Sequence, residues 1–558
     1  MPFRALSKRA WNDLQDVSNW SPTGFFPKDI RSDEQQPLRA GSPYLTKIFS
    51  WANCSRPDLR FLRDELQRQL TEGNVHNRSR ATVIEFSNEG AGVGIPRPFQ
   101  NPSDLHDYWQ ENQTPLDRLY VLEDVTSGFV EEFGRHFSLD PSFFATHLRS
   151  TNWESSESYA DSSKLPSSTH HTSAYSIWYP ETLVFPAQNL QVEDHDDYYF
   201  CYSNLYRQIS FVRGPKYRNS RVGQIMRKVS IFVKKLENNT QEGLIIVDPP
   251  IGLDIYTQQG INVPMKRIGV EGIRPYKGGF IDFSTWWCHD SEPITNCTSP
   301  GRQSMFDDII YYATMPGRKG GLRSGTLATI SSTNCIAAGM WANALEYVKE
   351  NVSKLEFMHE SARSTSTSRW APKSHKSLSL VEESLQEISH WKRMCSVYQE
   401  RIEHNIDGLQ KHFSMTQDGT GTLSAESKDW QYLAKAIEGW NKRSSDNVQA
   451  TFALLSVIGS QKSVDEAENA RLLAILGTVY LPFSLAAGIL SMGGEFAPGN
   501  GKFWIYFPIA ASLLLFSLVP AFAPRLQITI SNFLSERGLR KAAKENIGRN
   551  TGKSEVQV

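Results

Sequence analysis

The residues best suited to chemistry lie inside an apolar run near the C-terminus. Thr478 and Ser484 place hydroxyl groups there, Pro482 weakens the helix, and Gly488 leaves space for a neighbour. At helical spacing one face can carry Thr478, Leu481, Ser484, Gly488 and Met492. Small and hydroxyl side chains on one face allow close packing of helices, or they line a wet lumen. Both uses stay open from the sequence, and packing is the commoner one.

A second candidate site lies in the N-terminal half of the chain. It consists of Asp194, His195, Asp196 and Asp197, with His170 and His171 upstream. Carboxylates and imidazoles bind divalent ions, so this cluster is a candidate regulatory metal site. The competing interpretation is a solvated polar loop in front of a strand that begins near Tyr198.

Motifs of the common catalytic types do not occur in their expected contexts. The Gly-rich segment Gly320–Gly325 lacks the GxxxxGK[ST] order of a phosphate-binding loop, and neither HExxH nor a nucleophile elbow is present. We therefore predict no enzyme activity and no covalently bound cofactor. A metal-dependent hydrolase built on His170 and Asp196 is the weakest alternative.

Composition narrows the classes of partner. The formal net charge of the 558 residues is -1, and 21% of them are charged, which argues against a nucleic acid as the main partner. The six cysteines form no CxxC pair, so a reducing compartment fits the soluble part of the chain.

Two segments near the C-terminus have the length and composition of membrane helices. Residues 472–490 and 503–523 contain no charged residue, and each is close to the roughly 20 residues that span a hydrocarbon core. Buried helices of a soluble core usually keep a polar stripe, which disfavours that alternative. The short connection between the segments predicts a hairpin over residues 471–524, with both outer ends on one side of a lipid bilayer.

Charge on either side of the hairpin predicts its orientation. The connecting loop holds only Glu495 and Lys502 as charged residues. The tail is basic, with Arg525, Arg537, Arg540, Lys541, Lys544 and Arg549. By the positive-inside rule, we expect a multi-pass protein with cytosolic N- and C-termini, in the plasma membrane or an organelle membrane.

The rest of the chain divides by pattern into four parts. We predict an N-terminal extension (1–115), a cytosolic α/β domain (116–360), a linker and helical stalk (361–470) and a basic cytosolic tail (525–558). Apolar residues at alternating spacings of three and four predict packing helices in the stalk. They include Val381, Leu385, Ile388, Cys395, Tyr398, Ile402, Ile406 and Leu409, and then Trp430, Leu433, Ile437, Trp440, Val448 and Phe452.

The stalk and the first membrane segment read as one rod. A helix over residues 424–490 would be on the order of 100 Å long. Such a rod needs either the preceding helix or coiled-coil partners in other subunits.

Three segments resemble the CorA magnesium channel family, in particular its divergent fungal members. Gly477–Met492 looks like the family's first membrane helix, and Trp504–Pro508 is similar to the start of its outer helix. Leu119–Leu148, and Asp140–Leu148 in particular, resembles the beginning of the cytosolic domain of the fungal members.

The resemblance implies a CorA-like fold: a cytosolic α/β domain, a helical stalk and a two-helix membrane hairpin, assembled as a homopentamer. The first membrane helix would line the pore, through which Mg²⁺ or another divalent cation moves passively. By position, the ion path would include Thr478, Leu481, Ser484 and Gly488, with Asn469 and the acidic residues Asp465, Glu466 and Glu468 near its inner mouth.

The chain departs from the family at the outer end of the pore helix. The family has Gly-Met-Asn where this chain has Ser491, Met492 and Gly493. Mg²⁺ sheds water reluctantly, so a selective entrance needs fixed oxygen acceptors for its hydration shell. The Gly493 carbonyl, the Ser491 hydroxyl or a ring of Glu495 carboxylates are the candidate substitutes. The alternative is a non-conducting membrane-anchored scaffold or sensor with the same architecture.

Overall fold

The computed structural model describes residues 42–72, 79–86, 95–112, 116–149, 174–186, 197–202, 205–211, 220–236, 240–251, 255–259, 266–268, 272–283, 300–302, 304–314, 325–366, 375–416, 425–491 and 500–516. The chain forms two compact units, Met1–Thr451 and Phe452–Val558.

A mixed sheet of eleven strands forms the centre of the described part of the first unit. The strands are β1 (Arg80–Phe86), β2 (Ile95–Phe99), β3 (Asp117–Glu123), β4 (Ala174–Pro186), β5 (Asp197–Tyr202), β6 (Tyr206–Phe211), β7 (Ser220–Lys235), β8 (Gln241–Val247), β9 (Ile255–Gln259), β10 (Lys266–Ile268) and β11 (Arg274–Pro275). Their order is β10-β9-β5-β6-β7-β8-β3-β1-β2, and β4 pairs with β7 and β11. The pair of β3 with β8 is parallel, and the other pairs are antiparallel.

Helices pack on this sheet, and the last two in the chain extend into or lie within the second unit. They are α1 (Pro43–Cys54), α2 (Arg60–Glu72), α3 (Pro102–Glu111), α4 (Ser127–Phe137), α5 (Ser142–Leu148), α6 (Met305–Thr314), α7 (Thr326–Ser366), α8 (His375–Thr416), α9 (Ala425–Leu490) and α10 (Phe503–Phe516). An α/β domain followed by long helices agrees with the class predicted from the sequence.

The sheet has a buried core on each face. Side chains alternate along a strand, so Leu119 and Val121 of β3 enter one core while Tyr120 and Leu122 enter the other. The first core lies between the sheet and helices α6, α7, α8 and the beginning of α9. The second core lies between the sheet and helices α1 to α5. Burial on both faces explains why β3 reads as a continuous apolar run.

The sheet begins before residue 116, the predicted start of the α/β domain. Strand β1 lies between β2 and β3, and it pairs with β3 from Arg80 opposite Glu123 to Phe86 opposite Asp117. Leu45, Ile48 and Leu105 from the preceding helices are fully or almost fully buried in the second core. The described part of residues 1–115 therefore belongs to the α/β domain.

The predicted boundaries of the stalk also change. Asn405 of α8 accepts a hydrogen bond from the Trp178 backbone N–H at 2.8 Å and donates one to the Trp178 carbonyl at 2.7 Å. Trp341 of α7 donates its indole N–H to the same carbonyl at 2.7 Å. These bonds fix α7 and α8 to strand β4. The chain up to Thr451 thus belongs to the first unit, whereas the predicted stalk began at residue 361.

Helix α5 ends against a buried polar cluster. Arg207 donates two hydrogen bonds to the Asp248 carboxylate, at 2.7 and 3.0 Å, and a third to the His147 carbonyl at 2.9 Å. Lys228 donates from Nζ to the Arg149 carbonyl at 3.2 Å. Two cations therefore satisfy carbonyls at the C-terminal end of α5, where the helix dipole favours positive charge.

The same cluster holds a serine, a histidine and an aspartate close together. His147 Nδ1 lies 3.0 Å from Ser230 Oγ, and His147 Nε2 lies 3.4 Å from Asp248 Oδ1. Burial lowers the pKa of His147 to about 3, so the imidazole is neutral at physiological pH. All three side chains are buried from solvent, and this burial makes the set a structural cluster.

Asp308 at the start of α6 predicts a pH dependence of stability. Its Oδ1 accepts the Arg302 backbone N–H at 3.0 Å, and its Oδ2 has no hydrogen-bond partner within the described residues. Burial raises the pKa of Asp308 from 3.8 to about 6. Between these values the folded state holds a proton that the unfolded state has released. Stability contributed by this group is therefore lost as pH rises through that window, by about 2 to 3 kcal/mol.

We expect Asp308→Asn to remove this loss, because the asparagine side chain does not titrate. The measurement is thermal unfolding of the purified chain in detergent at pH 4 and pH 7 for both proteins. The variant should gain stability relative to the unmodified chain on going from pH 4 to pH 7. A stability difference that does not change between the two pH values would contradict the assignment.

Candidate functional site

The apolar end of α9 is the candidate membrane-spanning element. Helix α9 is the one helix in the described part of the chain that is long and apolar enough to cross a membrane. Its large side chains are exposed between Leu472 and Ile489. This agrees with the first predicted span. The second predicted span, 503–523, is described only through Phe516, and so it stays a prediction.

Helix α10 packs against one side of α9. The Tyr506 hydroxyl donates a hydrogen bond to the Phe483 carbonyl at 3.2 Å. Pro482 and Ala486, one helical turn apart on α9, are buried, and so is Ala510 of α10. The face of α9 that carries Pro482 and Ala486 is therefore the one that contacts α10.

The opposite side of α9 carries a stripe of small residues. At about 100° per residue, positions spaced alternately by three and four form a stripe that turns by about 20° per heptad, and its part from Gly477 to Ser491 points away from Pro482 and Ala486. The small-residue stripe consists of Ala453, Ser456, Ser460, Ser463, Ala467, Ala470, Ala474, Gly477, Leu481, Ser484, Gly488 and Ser491. Leu481 is its one large residue. A 3.5-residue repeat of this kind is the pattern of helices that associate around a common axis.

Most of the described residues of the predicted ion path lie on this stripe. Leu481, Ser484, Gly488 and Ser491 belong to it, and the first three are exposed on α9. Asn469 is exposed next to the stripe. Met492, Gly493 and Glu495 lie outside the described residues.

Thr478 lies off the small-residue stripe. It precedes Pro482 by four residues, so it lies on the side of α9 that contacts α10. Its hydroxyl donates to the Ala474 carbonyl at 2.8 Å, within the same helix. Ala470, Ala474 and Gly477 also lie on the stripe but were not predicted as site residues, although the 3.5-residue period of small residues identifies them from the sequence.

The predicted metal cluster of the N-terminal half is described only at its end. Asp197 begins β5 and pairs with Gln259 of β9. His170, Asp194, His195 and Asp196 lie outside the described residues. Within the part of the chain that the structure describes, no group of His, Cys, Asp and Glu side chains could hold a metal ion.

Charged residues follow the stripe up to the start of the apolar segment. Glu466 and Arg471 are exposed, and the Glu466 carboxylate lies 4.0 Å from Lys462 Nζ on the same helix. Leu472 follows directly and begins the predicted span. The charged part of α9 therefore ends where the apolar part begins.

Comparisons with known proteins give only distant structural likenesses. No protein-family model matches the chain, and no curated protein matches it. Among solved structures, the CorA magnesium transporter from Methanocaldococcus jannaschii is similar with a TM-score of 0.32 and 9% identity, over 78% of this chain and 96% of that one. The full-length CmaX protein is similar with a TM-score of 0.35 and 10% identity, over 80% of this chain and 98% of that one. These likenesses are too distant to carry an argument about function.

Proposed function

We propose that this protein is a CorA-like conduit for divalent cations, in which five copies of α9 surround a pore and passive flux follows the membrane potential. The observation that carries the proposal is the small-residue stripe, which continues into the apolar segment on the side of α9 away from α10. Lipid contact alone does not require this stripe, because lipid tails accept large apolar side chains equally well. A shared axis between copies accounts for it.

Simple geometry relates the stripe to a lumen. Five parallel helices with interaxial distances of about 10 Å have their axes roughly 8.5 Å from the centre, and a helix radius of about 5 Å then leaves a hole of roughly 3 Å radius between small side chains. Ser484, Gly488 and Ser491 would supply hydroxyl groups and open space along it. Leu481 would form its narrowest apolar ring.

The membrane potential can drive this transport without nucleotide hydrolysis. An interior negative potential contributes about 2.3 kcal/mol per charge for each 100 mV, so a divalent cation gains about twice that on entering. Mg²⁺ would be the transported ion, and no resident cofactor is proposed. The protein would be multi-pass, with both termini on the cytosolic side.

The second candidate function is a membrane-anchored scaffold or sensor that does not conduct. Gly493 favours it, because glycine provides no side-chain oxygen at the position where the related family has asparagine. Flux into proteoliposomes distinguishes the two functions. Entry of Mg²⁺, Co²⁺ or Ni²⁺ above the level of empty vesicles supports the conduit, and its absence in reconstituted oligomers supports the scaffold.

We predict that Gly493→Asn sharpens the selectivity of the conduit for Mg²⁺. An asparagine from each copy would add a ring of amide oxygens, which can hold the hydration shell of the ion. The measurement is the ratio of Mg²⁺ flux to Co²⁺ flux in proteoliposomes, which we expect to change at least about threefold. Ser491→Asn is the matched control, since it places the same amide two residues away. An unchanged ratio in Gly493→Asn would place the selective element elsewhere.

A further inference from the structure

The part of α9 that precedes the membrane segment exposes large apolar side chains. Phe452, Val457 and Val464 have exposed fractions of 54%, 53% and 58%. They come before Leu472, where the charge-free segment begins, so lipid does not account for them. Apolar side chains that flank a heptad-spaced stripe in water indicate a surface that another protein covers.

The pattern of this surface identifies the covering partner as a second copy of the chain. Phe452 and Val457 flank the stripe on its two sides, where helices of a parallel bundle contact each other. Small residues at Ala453, Ser456 and Ser460 allow the helix backbones to approach closely. Copies inserted in one membrane with one topology run parallel, so the same faces meet.

One charged pair can then form between neighbouring copies. Glu466 lies directly before Ala467 of the stripe, and Arg471 lies directly after Ala470. In a parallel in-register bundle these flanking positions, five residues apart, face each other between adjacent helices. The equivalent pairs one heptad earlier and later are Gly459 with Val464, and Leu473 with Thr478, and neither is charged. A shift of one heptad therefore loses the ion pair.

We propose that Glu466 of one subunit forms an ion pair with Arg471 of its neighbour, and that this pair sets the register of α9 where it enters the membrane. Within the described residues Arg471 has no ion-pair partner, and the Glu466 carboxylate lies as far as 4.0 Å from Lys462 Nζ. A partner in the next copy satisfies both side chains. The membrane boundary lowers the local dielectric constant, which strengthens the pair relative to one in open water. The proposal rests on the self-association in the proposed function and does not require conduction.

Charge exchange in the full-length protein tests the pair. Glu466→Arg places two arginines opposite each other, and Arg471→Glu places two glutamates there. We expect each single variant to reduce the oligomer fraction in mild detergent at least about fivefold, and the double variant to restore it. Light scattering coupled to size-exclusion chromatography measures the fraction. Glu438→Arg, which reverses an exposed charge on the part of α9 that belongs to the first unit, is the control and should leave the fraction unchanged.

A second measurement reports the register directly. Ser463→Cys lies on the stripe, and we expect it to form disulfide-linked dimers on oxidation in the membrane. Lys462→Cys, one residue away, should form fewer by at least about fivefold. This comparison keeps the native cysteines in both proteins, so they contribute equally.

The outcomes separate this inference from the proposed function. A double variant as impaired as the single ones would overturn the ion pair. If the double variant restores the oligomer fraction but the unmodified protein shows no cation flux, the ion pair is supported and the proposed conduction is contradicted. An unmodified chain that stays monomeric in mild detergent would overturn both.

Discussion

Replacing Gly488 with phenylalanine is expected to reduce cation flux by at least about tenfold. Gly488 lies on the small-residue stripe, on the side of α9 away from α10. In the proposed assembly, five phenylalanine rings would meet in a hole of roughly 3 Å radius, which a single aromatic ring already fills. The measurement is initial Mg²⁺ entry into proteoliposomes at a fixed potential and a fixed amount of reconstituted oligomer.

Ile489→Phe is the matched control for this prediction. It adds the same ring at the neighbouring position, where the side chain is exposed on a different face of α9. We expect its flux to stay within about twofold of the unmodified protein, because lipid accommodates the ring. Equal loss in the two variants would indicate damage to the helix. Full flux in Gly488→Phe would exclude the stripe as the path.

Replacing Arg207 with methionine is expected to lower the free energy of unfolding of the first unit by about 3 to 5 kcal/mol. The Asp248 carboxylate would stay buried without its two hydrogen bonds from the guanidinium group. Neutral His147 offers no compensating charge, and the end of α5 would lose the donor to its carbonyl. Denaturant unfolding of the full chain in detergent, followed by tryptophan fluorescence, measures the change, since Trp178 and Trp341 are buried in this unit.

Two further variants show whether burial of the charges causes this loss of unfolding free energy. In Lys277→Met an exposed ion pair with Glu350 is removed, and we expect a loss of at most about 1 kcal/mol. The double variant Arg207→Met with Asp248→Asn removes both buried charges, so it should lose less than the sum of its two single variants. Additive losses in the double variant would contradict a coupled pair.

Division into two units gives each part of the chain a physical role. The first unit fixes α7, α8 and the beginning of α9 to a sheet that is covered on both faces. Beyond Thr451 the side chains of α9 are mostly exposed, and in the proposed assembly lipid and other copies would cover them. The buried cores of the described residues therefore lie in the first unit, and the proposed path lies on the part of α9 in the second.

The local sequence pattern was sufficient to predict the membrane segment and the packing helix α8. A charge-free run from Leu472 to Leu490 predicts a membrane segment, because burying a charge in hydrocarbon is costly and the run matches the bilayer thickness. Spacing by threes and fours predicts α8 as a packing helix, because those positions share one face. Both statements depend only on residues close together in the chain.

Only the tertiary structure shows which segment of the chain covers each face of a helix or strand. The α8 seam indicates a buried face, but only the structure shows that Asn405 joins it to Trp178 of β4, which is 227 residues away in the chain. Strand β1 could not be assigned to the sheet without its pairing to β3, and Thr478 could not be placed without α10 on the side of Pro482 and Ala486. The spacing of apolar residues predicts that a face is covered. Which segment covers it depends on contacts between residues that are far apart in the sequence.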